Sequence, residues 1–467
     1  MTARRIGFWL GIAGFLVTLI VSPPAGMPQT AWSTAGLVWL MAAWWMSEAM
    51  PLSATALLPF IILPLIGVAD AGKTAAAYYS PIMFLFLGGA FLALAIERTG
   101  LHRRLAHAIL GLAGAKSWQL LLAVMSATAL ISMFISNTST ALIMMPMALA
   151  MLASGGVKEG ETLGIGGALP MGIAFAASIG GLGTMVGSPT NAIAAGLLDK
   201  SLGVKIGFAE WSLYGIPIVI LAVPLAALII AKVQHLGEDH FDPAAARASI
   251  AQSPAWSVPE KRLVPVFVLT VLAWVTLPIT AGYFPKDSLV DGTVAAIAGL
   301  SLFVIPDGTG RKMLTWNEAN RAPWDVVLLF GGGLALAMGM TASGLADWLG
   351  LMLLPLKSVP LPVVALVLVG FVVLVTEFAS NVAAASGIMP VVGALVFALG
   401  ADPILLALPA ALAASWGFML PSGTGPNAIA WATGHIAMPR VLRAGLLLDI
   451  AGVFLLVAVV WGITSLR

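Results

Sequence analysis

The sequence contains no cysteine and few charged residues. Without cysteine, the chain has no disulfide, no thiolate nucleophile and no cysteine-ligated metal site. Charged residues occupy 9% of the 467 positions, whereas soluble domains use about 25%, so a soluble globular domain is excluded. The formal net charge of +2 is small and scattered along the chain, which argues against a nucleic-acid partner.

Basic residues are missing altogether from three long stretches. Lys and Arg are absent from Ser117 to Val157, from Leu163 to Asp199 and from Ser358 to Pro439. An anion bound inside these stretches would therefore lack a cationic side chain. The apolar segments also carry no nucleophile paired with a base and no paired aspartates, so we expect that the protein is not an enzyme.

Long apolar runs take the place of the missing charges. Hydrophobic residues make up 60% of the chain, and runs of about 17 to 25 residues are long enough to span a bilayer. We therefore expect an all-α polytopic membrane protein with about 11 transmembrane helices. The runs lie near 6–22, 31–47, 52–69, 80–97, 163–198, 211–232, 263–281, 289–306, 324–343, 403–435 and 441–465.

Two further apolar stretches, 117–153 and 361–399, are too long for one span and too short for two. Small polar residues, Ser136 to Thr140, lie near the middle of the first, and Ser380-Asn381 repeats the Ser-Asn pair 244 positions later. Polar groups left open to hydrocarbon cost several kcal/mol, so such segments persist where they are buried in protein or line a cavity. We predict two re-entrant helical hairpins with these residues at their tips.

A broken helix is predicted after each hairpin. The run 163–198 contains Gly187-Ser188-Pro189-Thr190-Asn191, and the run 403–435 contains Gly423-Thr424-Gly425-Pro426-Asn427. Gly and Pro are expected to end one half-helix, and Asn to cap the next. A Gly-Pro break alone is often only a kink. Its recurrence at a similar distance from each hairpin tip favours a binding site.

The two hairpins are predicted to enter the membrane from opposite sides. With the N-terminus inside, cytoplasmic segments hold 16 of the 22 basic residues, as expected for short cytoplasmic loops. The first hairpin then lies on the cytoplasmic side and the second on the outer side. Similar segments of opposite orientation form an inverted repeat, which is typical of secondary transporters. The chain therefore divides into a first half, 1–232, a cytoplasmic connector, 233–262, and a second half, 263–467.

The predicted tips and breaks offer hydroxyls, amide groups, open carbonyls and helix N-termini. Helix N-termini carry partial positive charge and suit an anion. A buried dianion needs further compensation, and without Lys or Arg that compensation would be a bound cation. Carbonyl, Ser, Thr and Asn oxygens form a neutral, hard shell that suits an alkali ion better than a transition metal. We infer sodium bound beside the anion.

Four features in order along nearly the whole chain resemble the divalent anion/sodium symporters, which carry dicarboxylates, tricarboxylates or sulfate. They are the two Ser-Asn tips, the two Gly-Pro breaks, the segment Trp44 to Pro51 and the segment Ala414 to Pro421. The resemblance implies a homodimer with a scaffold domain and a transport domain that moves across the membrane like an elevator. It also implies a bacterial inner-membrane location and a small dicarboxylate, such as succinate or malate, as the substrate.

The resemblance further implies two sodium sites and one anion site. The first sodium site would use Ser132, Ser136, Asn137 and Gly187, and the second would use Thr376, Ala379, Asn381 and Gly423. The anion would meet Ser136, Asn137, Thr138, Ser188 and Pro189 from the first half and Ser380, Asn381, Thr424 and Gly425 from the second.

Val382 departs from the family pattern, which usually has a third polar residue at this position. Valine and threonine have similar shapes, but valine removes one hydroxyl facing the anion. Either the second carboxylate is held less directly, or the substrate is smaller or has an apolar portion there.

Two questions stay open in the sequence. Glu377 could relay a proton, as an acid inside the membrane is a functional candidate, or its carboxylate could be satisfied by backbone N–H groups of the hairpin. The same architecture would also serve a sodium-independent anion exchanger or a proton-coupled carrier. The altered or basic residues that exchangers in the family place near the ion sites are absent here, which favours sodium coupling.

Overall fold

The computed structural model describes residues 3–111, 114, 116–237, 241–248, 255–421 and 423–467. Within these residues the chain forms 23 α-helices and no β-strand. Ten of the described helices are long and apolar enough to cross a membrane. The predicted fold class, an all-α polytopic membrane protein, is therefore confirmed. The predicted connector 233–262 includes 238–240 and 249–254, which lie outside the described residues.

The chain up to residue 233 contains twelve of these helices. They are α1 (Ala3–Ile20), α2 (Gln29–Ser47), α3 (Leu52–Thr55), α4 (Leu58–Leu65), α5 (Ala71–Ala77), α6 (Pro81–Thr99), α7 (Leu101–Leu110), α8 (Ser117–Ser132), α9 (Asn137–Ser154), α10 (Gly164–Gly181), α11 (Pro189–Leu202) and α12 (Phe208–Val233).

The remaining eleven helices follow residue 242. They are α13 (Pro243–Ala248), α14 (Val258–Thr280), α15 (Asp291–Val304), α16 (Trp316–Ala319), α17 (Trp324–Ala342), α18 (Leu345–Leu353), α19 (Leu361–Phe378), α20 (Asn381–Leu399), α21 (Pro403–Ala413), α22 (Gly425–Ala432) and α23 (Met438–Ser465).

One apolar run does not form the single span that its length predicts. The run 52–69 is divided between α3 and α4. The hydroxyl of Tyr78 donates to the carbonyl of Ala56 at 2.7 Å and accepts from the N–H of Phe60 at 3.3 Å. This carbonyl and amide would bond to each other in a continuous helix, so the inserted hydroxyl replaces that bond and interrupts the helix.

Each Ser-Asn pair lies where one helix ends and the next begins. Residues 133–136 separate α8 from α9, and residues 379–380 separate α19 from α20. The hydroxyl oxygen of Ser136 accepts the N–H of Ser139, and that of Ser380 accepts the N–H of Ala383. Both serines therefore act as N-caps, which satisfy one of the free amides at a helix start.

The helix α10 is buried along its whole length and forms the centre of the first half. Small residues let α8 approach it closely, since a Cβ atom at Gly180 would lie 2.3 Å from the carbonyl oxygen of Ala129. The chain is unwound after α10, at residues 182–188, and again after α21, at residues 414–421 and 423–424. These unwound segments bring backbone carbonyls next to the two helix junctions described above.

Candidate functional site

The first candidate site is a group of three oxygens that includes the hydroxyl of Ser132. This hydroxyl lies 2.9 Å from Oδ1 of Asn137 and 2.6 Å from the carbonyl oxygen of Ala177. Ser132 ends α8, Asn137 begins α9, and Ala177 lies in the last turns of α10. We call Ser132 Oγ, Asn137 Oδ1 and Ala177 O the first oxygen cluster.

The second half repeats this arrangement with equivalent residues. The hydroxyl of Thr376 lies 3.0 Å from Oδ1 of Asn381 and 2.7 Å from the carbonyl oxygen of Ala414. Thr376 and Asn381 follow Ser132 and Asn137 at the same interval of 244 positions. We call Thr376 Oγ1, Asn381 Oδ1 and Ala414 O the second oxygen cluster.

Each cluster contains more acceptors than protons. A Ser or Thr hydroxyl has one proton to donate, but two acceptor oxygens lie within hydrogen-bonding distance of it in both clusters. The side chains of Ser132 and Thr376 are fully buried, whereas those of Asn137 and Asn381 are partly exposed. A cation beside either cluster would satisfy the surplus lone pairs.

Backbone carbonyls surround a glycine next to each cluster. A Cβ atom at Gly187 would lie 2.6 Å from the carbonyl oxygen of Gly181 and 3.0 Å from those of Ser132 and Met133. A Cβ atom at Gly423 would lie 3.4 Å from the carbonyl oxygens of Glu377 and Leu420. Both glycines were assigned to sodium sites by resemblance, and both face several neutral oxygens, the ligands that alkali ions favour.

The unwound segments are held by side-chain amides. Nδ2 of Asn191 donates to the carbonyls of Gly181 and Thr184, at 2.7 and 2.8 Å, and Nδ2 of Asn427 donates to the carbonyl of Leu420 at 3.1 Å. The prediction that these asparagines cap the second half-helices is wrong.

The caps are instead the residues just before each Pro-containing first turn. Ser188 accepts from the N–H of Thr190, and Thr424 accepts from the N–H of Asn427. A Ser or Thr followed within two residues by Pro at a helix start is the signal that would have identified them.

The residues predicted to meet an anion lie at the starts of four helices, α9, α11, α20 and α22. Ser136, Thr138 and Gly425 are exposed, and Asn137, Pro189, Ser380 and Asn381 are partly exposed, while Ser188 and Thr424 are buried. The two halves meet here, since a Cβ atom at Gly425 would lie 2.3 Å from the hydroxyl of Thr138. A hairpin tip from the first half thus contacts the helix break of the second.

Val382 is half-buried one residue beyond the tip of the second hairpin. Its side chain packs against an apolar cluster that includes Trp45, Leu336 and Ala383. The side chain of Val382 therefore contacts apolar residues on one side and is open on the other.

Charged groups are scarce around both clusters. Every ion pair in the described part of the chain joins residues outside the three stretches that lack Lys and Arg. Among the described residues there is also no group of three or more His, Cys, Asp or Glu side chains able to hold a metal. The oxygens that do lie together, in the two clusters, are neutral.

Glu377 is the charged exception beside the second cluster. Its carboxylate accepts hydrogen bonds from the backbone N–H groups of Phe418, Met419 and Leu420. These amides belong to the unwound segment after α21 rather than to the hairpin, where the sequence suggested partners. No local pattern links positions more than 40 residues apart, so these partners could not be identified from spacing.

The chain is similar to known transport proteins along nearly its whole length. The family described as "Sodium:sulfate symporter transmembrane region" matches residues 3–466. The sodium-dependent dicarboxylate transporter SdcS of Staphylococcus saprophyticus is 36% identical over 471 residues, which cover 98% of this chain and 91% of that protein. SdcS of Staphylococcus aureus strain MRSA252 is 36% identical over 473 residues, with the same coverage.

Two solved transporters share the fold at low sequence identity. The Alcanivorax borkumensis YdaH transporter has a TM-score of 0.56 and 16% identity, and the match covers 100% of this chain and 99% of that one. Neisseria gonorrhoeae MtrF has a TM-score of 0.58 and 12% identity, and the match covers 98% and 95% of the two chains. At these identities the similarity concerns the fold alone.

Alanine substitutions at Gly187 and Gly423 test how closely the backbone carbonyls approach each glycine. We expect Gly187→Ala to lower the free energy of unfolding by about 1–3 kcal/mol, because the added methyl group overlaps fixed backbone carbonyls. Gly423→Ala serves as the control, since its Cβ meets only ordinary contact distances. Thermal unfolding of the detergent-solubilised variants measures both effects. Equal midpoints for the two variants would show that the first site is not as closely packed as described.

Proposed function

Because the chain belongs to the sodium:sulfate symporter family, we propose that it is a secondary active transporter that couples sodium entry to uptake of a divalent anion. The substrate we infer is a C4 dicarboxylate such as succinate or malate, since the SdcS relatives are named sodium-dependent dicarboxylate transporters. The membrane would be the plasma membrane of a bacterium. The observation that carries the proposal is the pair of oxygen clusters, each with surplus acceptors.

In this proposal each cluster and its neighbouring glycine hold one sodium ion. Asn137 Oδ1 and the carbonyls near Gly187 would supply ligands in the first half, and Asn381 Oδ1 and the carbonyls near Gly423 would supply them in the second. The positive charges of two sodium ions would match the two negative charges of the dicarboxylate. Without a nearby Lys or Arg, the anion would then depend on sodium for charge compensation in the membrane.

The anion would lie between the helix starts that face each other across the two halves. The exposed hydroxyls of Ser136 and Thr138 are available as donors to carboxylate oxygens, and the start of α22 adds the backbone N–H of Gly425. The contact between Thr138 and Gly425 joins the two halves at this place. One bound anion can therefore contact both halves at once.

We further infer an elevator mechanism in a homodimer, with the hairpins and broken helices moving together as the transport domain. Two features support a single moving body. The helix α10 is completely buried, and the rings of Phe175 and Phe418, from the two halves, lie 5.0 Å apart. The equivalent hydrogen bonds in the two halves support the inverted repeat on which such a mechanism depends.

Purified protein in proteoliposomes provides the test of sodium coupling. We expect an inward sodium gradient to drive accumulation of radiolabelled succinate, and an equal potassium gradient to give only background uptake. Malate should compete with succinate more strongly than citrate or sulfate. Succinate counterflow that is indifferent to sodium would contradict symport and indicate an anion exchanger. Accumulation driven by a proton gradient in the absence of sodium would indicate a proton-coupled carrier.

Replacing Val382 by threonine, the kind of polar residue usual at this position, tests whether the residue contacts the anion. We expect Val382→Thr to lower the succinate concentration for half-maximal uptake by about tenfold, because one hydrogen bond to a charged group contributes roughly 1.5 kcal/mol or more. Val391→Thr makes the same exchange at an exposed position further along α20 and should leave uptake unchanged. An unaltered affinity and an unaltered rank order of dicarboxylates in Val382→Thr would show that this position does not contact the anion.

A further inference from the structure

An apolar groove lies between α14 and α15 and has a volume of about 440 Å³. One wall is a stripe of α14 residues that recur at three- and four-residue intervals from Val266 to Thr280, and the other is a similar stripe from Val294 to Ile305. Two residues of the groove, Leu269 and Ile297, are 65% and 62% exposed. The groove is therefore open to the surroundings of the protein, which in a bilayer are acyl chains.

The length and chemistry of the groove suit a lipid chain. The stripe from Val266 to Thr280 rises about 21 Å at roughly 1.5 Å per residue, whereas one leaflet contributes about 15 Å of hydrocarbon. Three hydroxyls line the walls, those of Thr270, Thr280 and Ser301. Each donates to a carbonyl three or four residues earlier in its own helix, at 2.7, 3.2 and 2.7 Å. Because these hydroxyls are already bonded, the walls favour hydrocarbon over a polar ligand.

Two basic side chains lie at the end of the groove next to Ile305. Nη1 of Arg262 donates to the carbonyl of Pro306 at 2.7 Å, and Nζ of Lys312 donates to the carbonyl of Val304 at 2.8 Å. These carbonyls belong to the residues on either side of Ile305, which lines the groove. Both basic side chains are exposed, and each has further N–H groups that can donate to a second acceptor.

The acids close to this end of the groove are paired with other residues. Lys261, which precedes Arg262, is exposed as well. In the part of the chain that the structure describes, no ion pair involves Lys261, Arg262 or Lys312. These three residues therefore keep their positive charges. The neighbouring acids pair with three arginines: Glu260 with Arg104, Asp307 with Arg98 and Glu318 with Arg311.

The opposite end of the groove, beside Leu289, has charges of both signs. Nζ of Lys205 lies 3.5 Å from Oδ1 of Asp287. Lys286 and Asp291, close in sequence, add one basic and one acidic side chain. The excess of positive charge is thus at the other end, which the distribution of basic residues predicts to be cytoplasmic. Basic clusters at that surface attract the anionic lipids of the cytoplasmic leaflet.

We propose that this groove binds one anionic phospholipid, whose acyl chain lies between α14 and α15 and whose phosphate meets Lys261, Arg262 and Lys312. The apolar walls select a lipid over free phosphate, and the three cations select an anionic headgroup over a zwitterionic one. The inference does not depend on which solute the protein carries.

The bound lipid would also support the contact between α14 and the first hairpin. The ring of Phe267, in α14, lies 4.9 Å from the ring of Phe134, at the junction of α8 and α9. The lipid and the hairpin therefore contact the same helix.

Native mass spectrometry of the full-length protein in detergent, with added lipid, tests the headgroup site. We expect phosphatidylglycerol to bind about tenfold or more tightly than phosphatidylcholine with the same acyl chains. The triple variant Lys261→Gln, Arg262→Gln and Lys312→Gln should lower the affinity for phosphatidylglycerol by about a hundredfold, since each basic residue near a lipid surface contributes roughly fivefold. Equal affinity for the two lipids, or an unchanged affinity in the triple variant, would overturn the proposal.

A matched control removes the same number of charges elsewhere. Lys205→Gln, Lys286→Gln and Lys357→Gln together replace three exposed lysines away from the basic end and should leave phosphatidylglycerol binding unchanged. A loss equal to that of the first triple variant would show that only the total charge of the protein matters, and it would overturn the site.

Filling the groove tests the acyl-chain site without a change of charge. We expect Ala273→Phe to weaken phosphatidylglycerol binding, because its ring would occupy the space between α14 and α15. Val275→Phe, at a 53% exposed position of the same helix, should bind the lipid as the unaltered protein does. Thermal unfolding without added lipid checks that both variants are folded, and the charge variants decide the proposal independently. Unchanged binding in a folded Ala273→Phe would contradict the proposal.

Two further results would assign the groove to another occupant. Displacement of phosphatidylglycerol by an equal concentration of glycerol phosphate would show that phosphate alone is recognised. A changed number of chains per particle in Ala273→Phe, with unchanged lipid binding, would show that the groove is an interface between copies of this chain. Either result would overturn the lipid site.

Discussion

Oxygen atoms grouped without enough protons are the constraint on which the rest of this structure depends. In each half, one hydroxyl faces an asparagine oxygen and a backbone carbonyl, and it can donate to only one of them. Such a group is unfavourable in an apolar region unless something positive lies beside it. Because Lys and Arg are absent from the surrounding segments, we propose that a bound cation is the group that fits. In the proposed function, an anion would depend on that cation because the same segments offer no basic side chain.

The fold keeps these oxygens in place by interrupting helices and then supporting the interruptions. Asn191 and Asn427 hold the carbonyls of the unwound segments, and Ser136, Ser188, Ser380 and Thr424 cap the helices that follow. The helix α10, which is buried along its whole length, packs among the helices of the first half. Supports of this kind are needed because an unwound backbone in the membrane persists only where protein satisfies its polar groups.

The sequence allowed much of this architecture to be predicted, for reasons that are local. The repeated Ser-Asn pairs mark the junctions between α8 and α9 and between α19 and α20, because serine and asparagine favour helix starts over helix interiors. Other features depend on contacts between distant residues and left no local signal. The hydroxyl of Tyr78 interrupts the run 52–69, and the carboxylate of Glu377 accepts the N–H of Phe418, 41 positions away. The true caps, Ser188 and Thr424, were missed because the more prominent asparagines three residues later were given that role.

Direct measurement of bound sodium tests the central claim most closely. Equilibrium binding of radioactive sodium to the purified protein, in the presence of succinate, should show two sites. Replacement of Asn137 or of Asn381 by Ala should each remove one of them, because each asparagine supplies an oxygen to a different cluster. If both variants bind as much sodium as the unaltered protein, the oxygen clusters are not cation sites and the account is wrong.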